Sequence, residues 1–136
     1  MTAPGNLPGG TYYLLVQTDT EDTQGESDES NNVLTQQIVL NTPDLRVVGV
    51  DAPAEGTYGQ TLSVSWTVTN FGTGSTASGG WTDSVYLSAD QMLGDGDISV
   101  GQAAAPSALA AGGSYVNSAN ITIPDNLTGY LSLIHI

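Results

Sequence analysis

The chain has 136 residues, and fourteen acidic side chains against a single arginine, Arg46, produce a formal net charge of −13. Such a charge excludes nucleic-acid and anionic-lipid partners, which require basic surfaces, while the lack of lysine and cysteine excludes Schiff-base and thiol chemistry and a disulfide framework. The one histidine, His135, stands next to the last residue, so the composition predicts that the chain is not an enzyme. No apolar run approaches ~20 residues, so we expect no membrane insertion.

Two-residue periodicity predicts strands along most of the chain. The clearest case is Gln60–Asn70, where four apolar residues alternate with serine and threonine, as expected of a strand with one face in a core. The predicted strands, in chain order, are Thr11–Thr18, Val33–Leu40, Leu45–Val50, Gln60–Asn70, Trp81–Ser88 and Ser114–Ile123. Strands bounded by turn residues, with no helical period between them, indicate an all-β, immunoglobulin-like antiparallel sandwich.

The alanine-rich stretch Ala103–Ala111 does not predict a helix. Pro106 interrupts it and Gly112-Gly113 follows it, so we expect an irregular connection or a short strand. Asp83 stands at the start of a predicted strand, and we expect its side chain to reach the acidic loop that begins at Asp90.

The aromatic residues have structural and ligand-binding interpretations. Trp66 lies on the apolar side of its strand and is predicted to be a core residue, whereas Trp81, at a strand entrance, is open to core packing or to stacking on a sugar. Tyr12 and Tyr13 are adjacent, so one faces inward and one outward, and we expect a corner tyrosine that bonds to the backbone.

The chain also shows internal similarity. Residues 1–7 align with 121–127, sharing Thr, Pro, Asn and Leu in register, and Gly10-Thr11-Tyr12-Tyr13-Leu14 then corresponds to Gly129-Tyr130-Leu131. We interpret this as a tandem array of units close to ~120 residues long. Residues 1–40 would be the closing hairpin of one unit, 41–43 the junction, and 44–131 the first part of the next unit. The end, 131–136, resembles a translated adapter sequence from DNA library preparation and is expected to be non-native.

An ordered set of motifs runs through the predicted unit. Pro43-Asp44-Leu45 opens it, Trp66-Thr67-Val68-Thr69-Asn70 with Gly72 follows, and Trp81-Thr82-Asp83 begins the next strand; Glu29-Ser30-Asn31-Asn32 precedes the last strand of the earlier copy. This set resembles the CARDB family, the cell-adhesion-related domain found in bacteria. The resemblance implies an incomplete immunoglobulin-like repeat and a non-catalytic stalk or adhesion role outside the cell or at its surface. It also implies neighbouring repeats as partners and, alternatively, Ca²⁺-dependent binding of a glycan or protein ligand.

Two acidic loops are candidate Ca²⁺ sites, because flexible glycine-containing loops rich in carboxylates suit a hard cation. The alternative for both is a solvated turn whose acids keep the surface charged. The candidate ligands are Asp19, Glu21, Asp22, Glu26, Asp28 and Glu29 in the first loop and Asp90, Asp95 and Asp97 in the second. No other cofactor is predicted.

Overall fold

The computed structural model describes residues 7–125 and the backbone of 132–135. Its contacts divide the chain into two compact units, Met1–Thr42 and Pro43–Ile136. All the regular structure in the described residues is antiparallel β-sheet, which confirms the predicted fold class. The same part of the chain contains no helix with the length and apolar character needed to cross a bilayer.

The first unit is a two-stranded hairpin. β1 (Gly10–Gln17) pairs with β2 (Val33–Leu40) in an unbroken register from Gly10 opposite Leu40 to Gln17 opposite Val33. Tyr12 is half-buried and its hydroxyl donates a hydrogen bond of 2.9 Å to the Pro8 carbonyl, while Tyr13 is 61% exposed. This is the inward-outward pair, with a backbone-bonded tyrosine, that the sequence predicts.

The second unit consists of two three-stranded sheets. The strands are β3 (Leu45–Asp51), β4 (Thr61–Asn70), β5 (Thr82–Ser88), β6 (Ile98–Ala104), β7 (Ser114–Thr122) and β8 (Ser132–His135). One sheet has the order β3-β4-β7, and the other has the order β6-β5-β8. The alternation along these strands places apolar side chains between the sheets, as an immunoglobulin-like sandwich requires.

The core follows the periodicity of β4. Its four apolar residues, including Trp66 at 1% exposure, are buried together with Val85 of β5 and Ile121 of β7. Trp66 is therefore the core residue that its position predicts. β6 packs closely on this core because it has a glycine there: a β-carbon added to Gly101 would lie 2.9 Å from a methyl group of Ile121.

The observed strands differ from the predicted ones at two places. β6 was not predicted, because its sequence is rich in alanine and glycine and lacks a clear alternation. It ends at Ala104, and residues 105–113 form the irregular connection expected around Pro106. β8 falls in the segment interpreted as a non-native tail, and its backbone pairs with residues Tyr86 to Ser88 of β5.

Candidate functional site

The most distinctive polar feature of the sandwich is a carboxylate buried between its sheets. Asp83 follows the inward parity of Val85 and Leu87 on β5 and is only 9% exposed. Its carboxylate accepts hydrogen bonds from Trp66 Nε1 at 2.8 Å and from Asn117 Nδ2 at 3.3 Å. The expectation that Asp83 reaches the Asp90 loop is therefore wrong. The parity of β5 directs its side chain into the sandwich instead.

A tyrosine completes this group. The Tyr115 hydroxyl lies 2.9 and 2.8 Å from the two carboxylate oxygens of Asp83 and donates its one proton to them. It also accepts a bond of 3.2 Å from Trp81 Nε1, and the rings of Trp81 and Tyr115 meet edge to face with centroids 6.0 Å apart. We call Trp66, Asp83, Tyr115 and Asn117 the Asp83 cluster. Trp81, left open by the sequence, is a half-buried neighbour of that cluster.

The cluster alters the acidity of its tyrosine. Burial, followed by the hydrogen bond to the Asp83 carboxylate, raises the pKa of Tyr115 to about 12, against a smaller opposing effect of the bond from Trp81. Both leading causes penalise a phenolate, since it would be poorly hydrated and would face a negative carboxylate. The Tyr115 hydroxyl therefore stays protonated and keeps its role as donor throughout the neutral range.

Sequence reasoning missed the Asp83 cluster, although a signal was present. Asp83 and Asn117 occupy inward positions on strands otherwise lined by apolar residues. A polar residue at an inward position must find hydrogen-bond partners, because burying it unpaired is costly. The inward-facing indole N–H of Trp66 is a suitable donor, so the parities of Trp66 and Asp83 together indicate the hydrogen bond between them.

A second buried amide organises the loops. Asn70 ends β4 and is 0% exposed. Its Oδ1 accepts from the backbone N–H groups of Asp44 and Gly72, both at 3.0 Å, and its Nδ2 faces the carbonyls of Gly74, Leu109 and Ala110 at 2.8 to 3.3 Å. The side chain thus joins the start of β3, the β4–β5 loop and the β6–β7 connection.

Three of the six candidate carboxylates of the first acidic loop accept hydrogen bonds within the loop itself. Asp19 accepts from the backbone N–H groups of Thr23 at 3.0 Å and Gln24 at 2.8 Å, which lower its pKa. Asp28 accepts from the hydroxyl and the N–H of Ser30, which likewise lower its pKa. Glu29 accepts from the N–H of Glu26 at 3.0 Å. The three remaining candidates, Glu21, Asp22 and Glu26, have exposed side chains.

The second acidic loop is arranged in the same way. Asp90 accepts from the backbone N–H of Met92, and Asp97 accepts from that of Gly94, each at 2.7 Å, while Asp95 is exposed. Among the side chains of residues 7–125, no three or more acidic groups converge in a way that could hold a metal ion. The bonds that are present are those of turns closed by aspartate and glutamate.

Comparison with known proteins identifies one family. The CARDB family model matches residues 42–135, which is more than half of the chain. Neither a curated protein nor a solved structure matches significantly. The match begins one residue before the second unit and includes the Asp83 cluster, Asn70 and the second acidic loop, whereas the β1–β2 hairpin lies outside it.

Proposed function

Because the chain belongs to the CARDB family, a family of bacterial cell-adhesion-related domains, we propose that it is a non-catalytic spacer module of a secreted or cell-surface protein. In this role the sandwich is a stiff element that holds other domains at a distance, and neighbouring repeats of the same protein are its partners. The observation that carries the proposal is the Asp83 cluster, which uses the buried polar groups of the sandwich to connect its two sheets.

The connection runs from one sheet to the other. Asp83 belongs to β5, whereas its donors lie on β4 (Trp66) and β7 (Tyr115 and Asn117). Hydrophobic contact between sheets is non-directional and permits sliding, but hydrogen bonds to a charged acceptor are directional and gain strength in a poorly solvated interior. A spacer that transmits force needs this resistance to relative movement of its sheets.

The surface charge supports the same role. Arg46 is the only lysine or arginine of the sequence, and it bonds to Asp44 at 2.6 Å, so its charge is offset locally. The remaining acids produce a strongly negative surface that repels like-charged neighbours and keeps them soluble. Crowded stalks outside a cell benefit from such repulsion.

Mechanical unfolding of single molecules tests the proposal. The chain is held by handles at its two termini, and the wild type is compared with Asp83→Ala and with the surface control Asp95→Ala. If the cluster resists force, Asp83→Ala accelerates unfolding about 100-fold, as expected when ~3 kcal/mol is lost mainly from the unfolding barrier. The control unfolds at the wild-type rate. Equal rates for Asp83→Ala and wild type would contradict a load-resisting role.

A binding screen addresses the alternative of a Ca²⁺-dependent adhesion domain. The chain is applied to a glycan array with ~5 mM Ca²⁺ and again with EDTA, and a spacer gives no signal in either condition. Saturable binding that requires Ca²⁺ and is lost on mutation of Asp90 or Asp97 would instead establish the ligand-binding role.

A further inference from the structure

The strand β7 is an edge strand that lacks the features by which proteins usually protect a sheet edge. Unpaired N–H and C=O groups along an edge can bind another strand, and charged residues, prolines and bulges discourage this. β7 has nine residues, none of them charged and none a proline, and its register with β4 is unbroken from Thr122 to Ser114. No strand pairs with its outer edge in the described residues.

The other fully described edge strands of the sandwich do carry such features. β3, at the opposite edge of the same sheet, contains Arg46 and Asp51, and its register with β4 shifts between Val47 and Gly49. β6, at the edge of the second sheet, also has an irregular register with β5. Such shifts bend and twist an edge away from straight pairing. β7 is therefore the edge best suited to accept a further strand.

The two ends of β7 show which of its backbone groups are available. Asn70 N–H donates to the Gly113 carbonyl and Ile123 N–H donates to the Gln60 carbonyl, both at 2.9 Å, immediately beyond the two ends of the β4–β7 pairing. Successive residues of an edge strand alternate between bonding to the neighbouring strand and pointing away from it. Odd-numbered residues of β7 therefore bond to β4, and the even-numbered residues of 114–122 direct their N–H and C=O groups to the free edge.

These even-numbered residues are accessible. All five have exposed side chains, and Val116 is 71% exposed. Only a local contact covers the middle of the edge: Ser118 N–H donates a hydrogen bond of 3.1 Å to Oδ1 of its own neighbour, Asn117. An incoming carbonyl can replace that contact without disturbing the bonds between β7 and β4.

A second copy of the chain is the partner that suits this edge. β4 and β7 carry no charged residue, and the outward side chains of β4 are all serine or threonine. In a chain of net charge −13, two copies can meet along these strands without bringing carboxylates of either strand together. An edge that pairs antiparallel with itself also satisfies a two-fold axis, because both sides offer the same donors and acceptors.

We propose that the β7 edges of two copies pair antiparallel about a two-fold axis and join their β3-β4-β7 sheets into one continuous sheet. Full overlap of the two strands places Ser118 opposite Ser118 of the second copy and Ser114 opposite Thr122. Each even-numbered residue then exchanges hydrogen bonds with the residue opposite it. Because the contact consists mainly of one strand pair, we expect a weak dimer with a dissociation constant on the order of 100 µM. This inference is independent of the spacer proposal, which stands whether or not the chain associates.

Sedimentation velocity of the full chain between ~5 and ~500 µM provides the first test. We expect the weight-average sedimentation coefficient to rise with concentration towards that of a dimer. We also expect stronger association in ~500 mM than in ~20 mM NaCl, because salt screens the repulsion between two chains of charge −13. A chain that stays monomeric throughout this range at high salt would overturn the inference.

Two substitutions at one position test the backbone contact. Ser118→Pro removes an N–H that does not bond to β4, and each copy loses one bond to the other, so the dissociation constant should rise at least about tenfold. Ser118→Ala keeps the N–H and should leave the constant within about twofold of the wild type. Urea unfolding verifies that the sandwich is intact in both variants. Equal dissociation constants for the two variants would contradict pairing through this edge.

Disulfide trapping tests the register without altering the backbone. Residues opposite each other in a hydrogen-bonded antiparallel pair have Cα atoms about 5.5 Å apart, a separation that a disulfide can span. Because the chain has no cysteine, Ser118→Cys can be oxidised without competing thiols, and Ser63→Cys, exposed on the outward face of β4, is the control. At ~100 µM we expect Ser118→Cys to form covalent dimer at least about ten times faster than Ser63→Cys. Equal rates would refute the proposed pairing.

Discussion

Replacing Asp83 by alanine removes the acceptor that links the two sheets, and its cost follows from the contacts of the carboxylate. Trp66 Nε1–H is left without its partner inside the core, where the residue is 1% exposed, and Tyr115 and Asn117 lose a charged acceptor. Hydrogen bonds to charged groups contribute about 1.5–3 kcal/mol each, and an unsatisfied buried donor costs about 1–3 kcal/mol. Since Tyr115 and Asn117 recover part of their loss by hydration, we expect Asp83→Ala to destabilise the sandwich by about 3–5 kcal/mol.

The measurement is urea unfolding followed by far-ultraviolet circular dichroism, with Asp95→Ala as control. The exposed loop carboxylate of Asp95 should change stability by less than about 0.5 kcal/mol. A double-mutant cycle with Trp66→Phe separates the hydrogen bond from packing, because phenylalanine lacks the indole N–H, and Trp81 remains as a fluorescent reporter. We expect Trp66→Phe to cost about 1.5–3 kcal/mol less in the Asp83→Ala background. A loss below about 1 kcal/mol for Asp83→Ala, or identical costs of Trp66→Phe in both backgrounds, would refute the structural role of the cluster.

Three further outcomes are expected. The raised pKa of Tyr115 means that the fold disfavours the phenolate. The stability that the protonated hydroxyl contributes is therefore fully present below pH 10 and is lost as the pH rises towards about 12. Tyr115→Phe should show a smaller fall in unfolding free energy than the wild type between pH 9 and 11.5, and an equal fall would contradict this cause. Asn70→Asp keeps the shape of the side chain but sets a carboxylate against three carbonyls, so urea unfolding should show a loss of at least about 2 kcal/mol and hydrogen exchange should show faster exchange at Gly72 N–H. A Ca²⁺ site with a Kd of ~50 µM would stabilise the fold by about 2.7 kcal/mol at ~5 mM Ca²⁺. We expect a spacer instead to melt at the same temperature with Ca²⁺ as with EDTA. A rise in melting temperature that is abolished by Asp22→Asn or Asp97→Asn would locate a site in the corresponding loop.

The fold was predictable where a single periodicity dominates. β4 alternates without exception, and all four of its apolar side chains are buried. β6 was not predictable by this route, because the small residues Gly101 and Ala103 fit a close contact between sheets and leave no amphipathic pattern. The two acidic loops were visible as clusters of charge, but their composition did not distinguish ligands for a cation from turn-closing acceptors.

Local chemistry in the sequence determined the class of the protein, because alternation predicted the sandwich and the ordered motifs indicated the family. The tertiary structure decided which polar residues meet. Asp83, Trp66 and Tyr115 are far apart in the chain, and a hydrogen bond depends on distances of about 3 Å that arise only when strands of opposite sheets pack face to face. Periodicity specifies the side of a strand on which a residue lies, whereas its partner across the core depends on the packing of the whole sandwich.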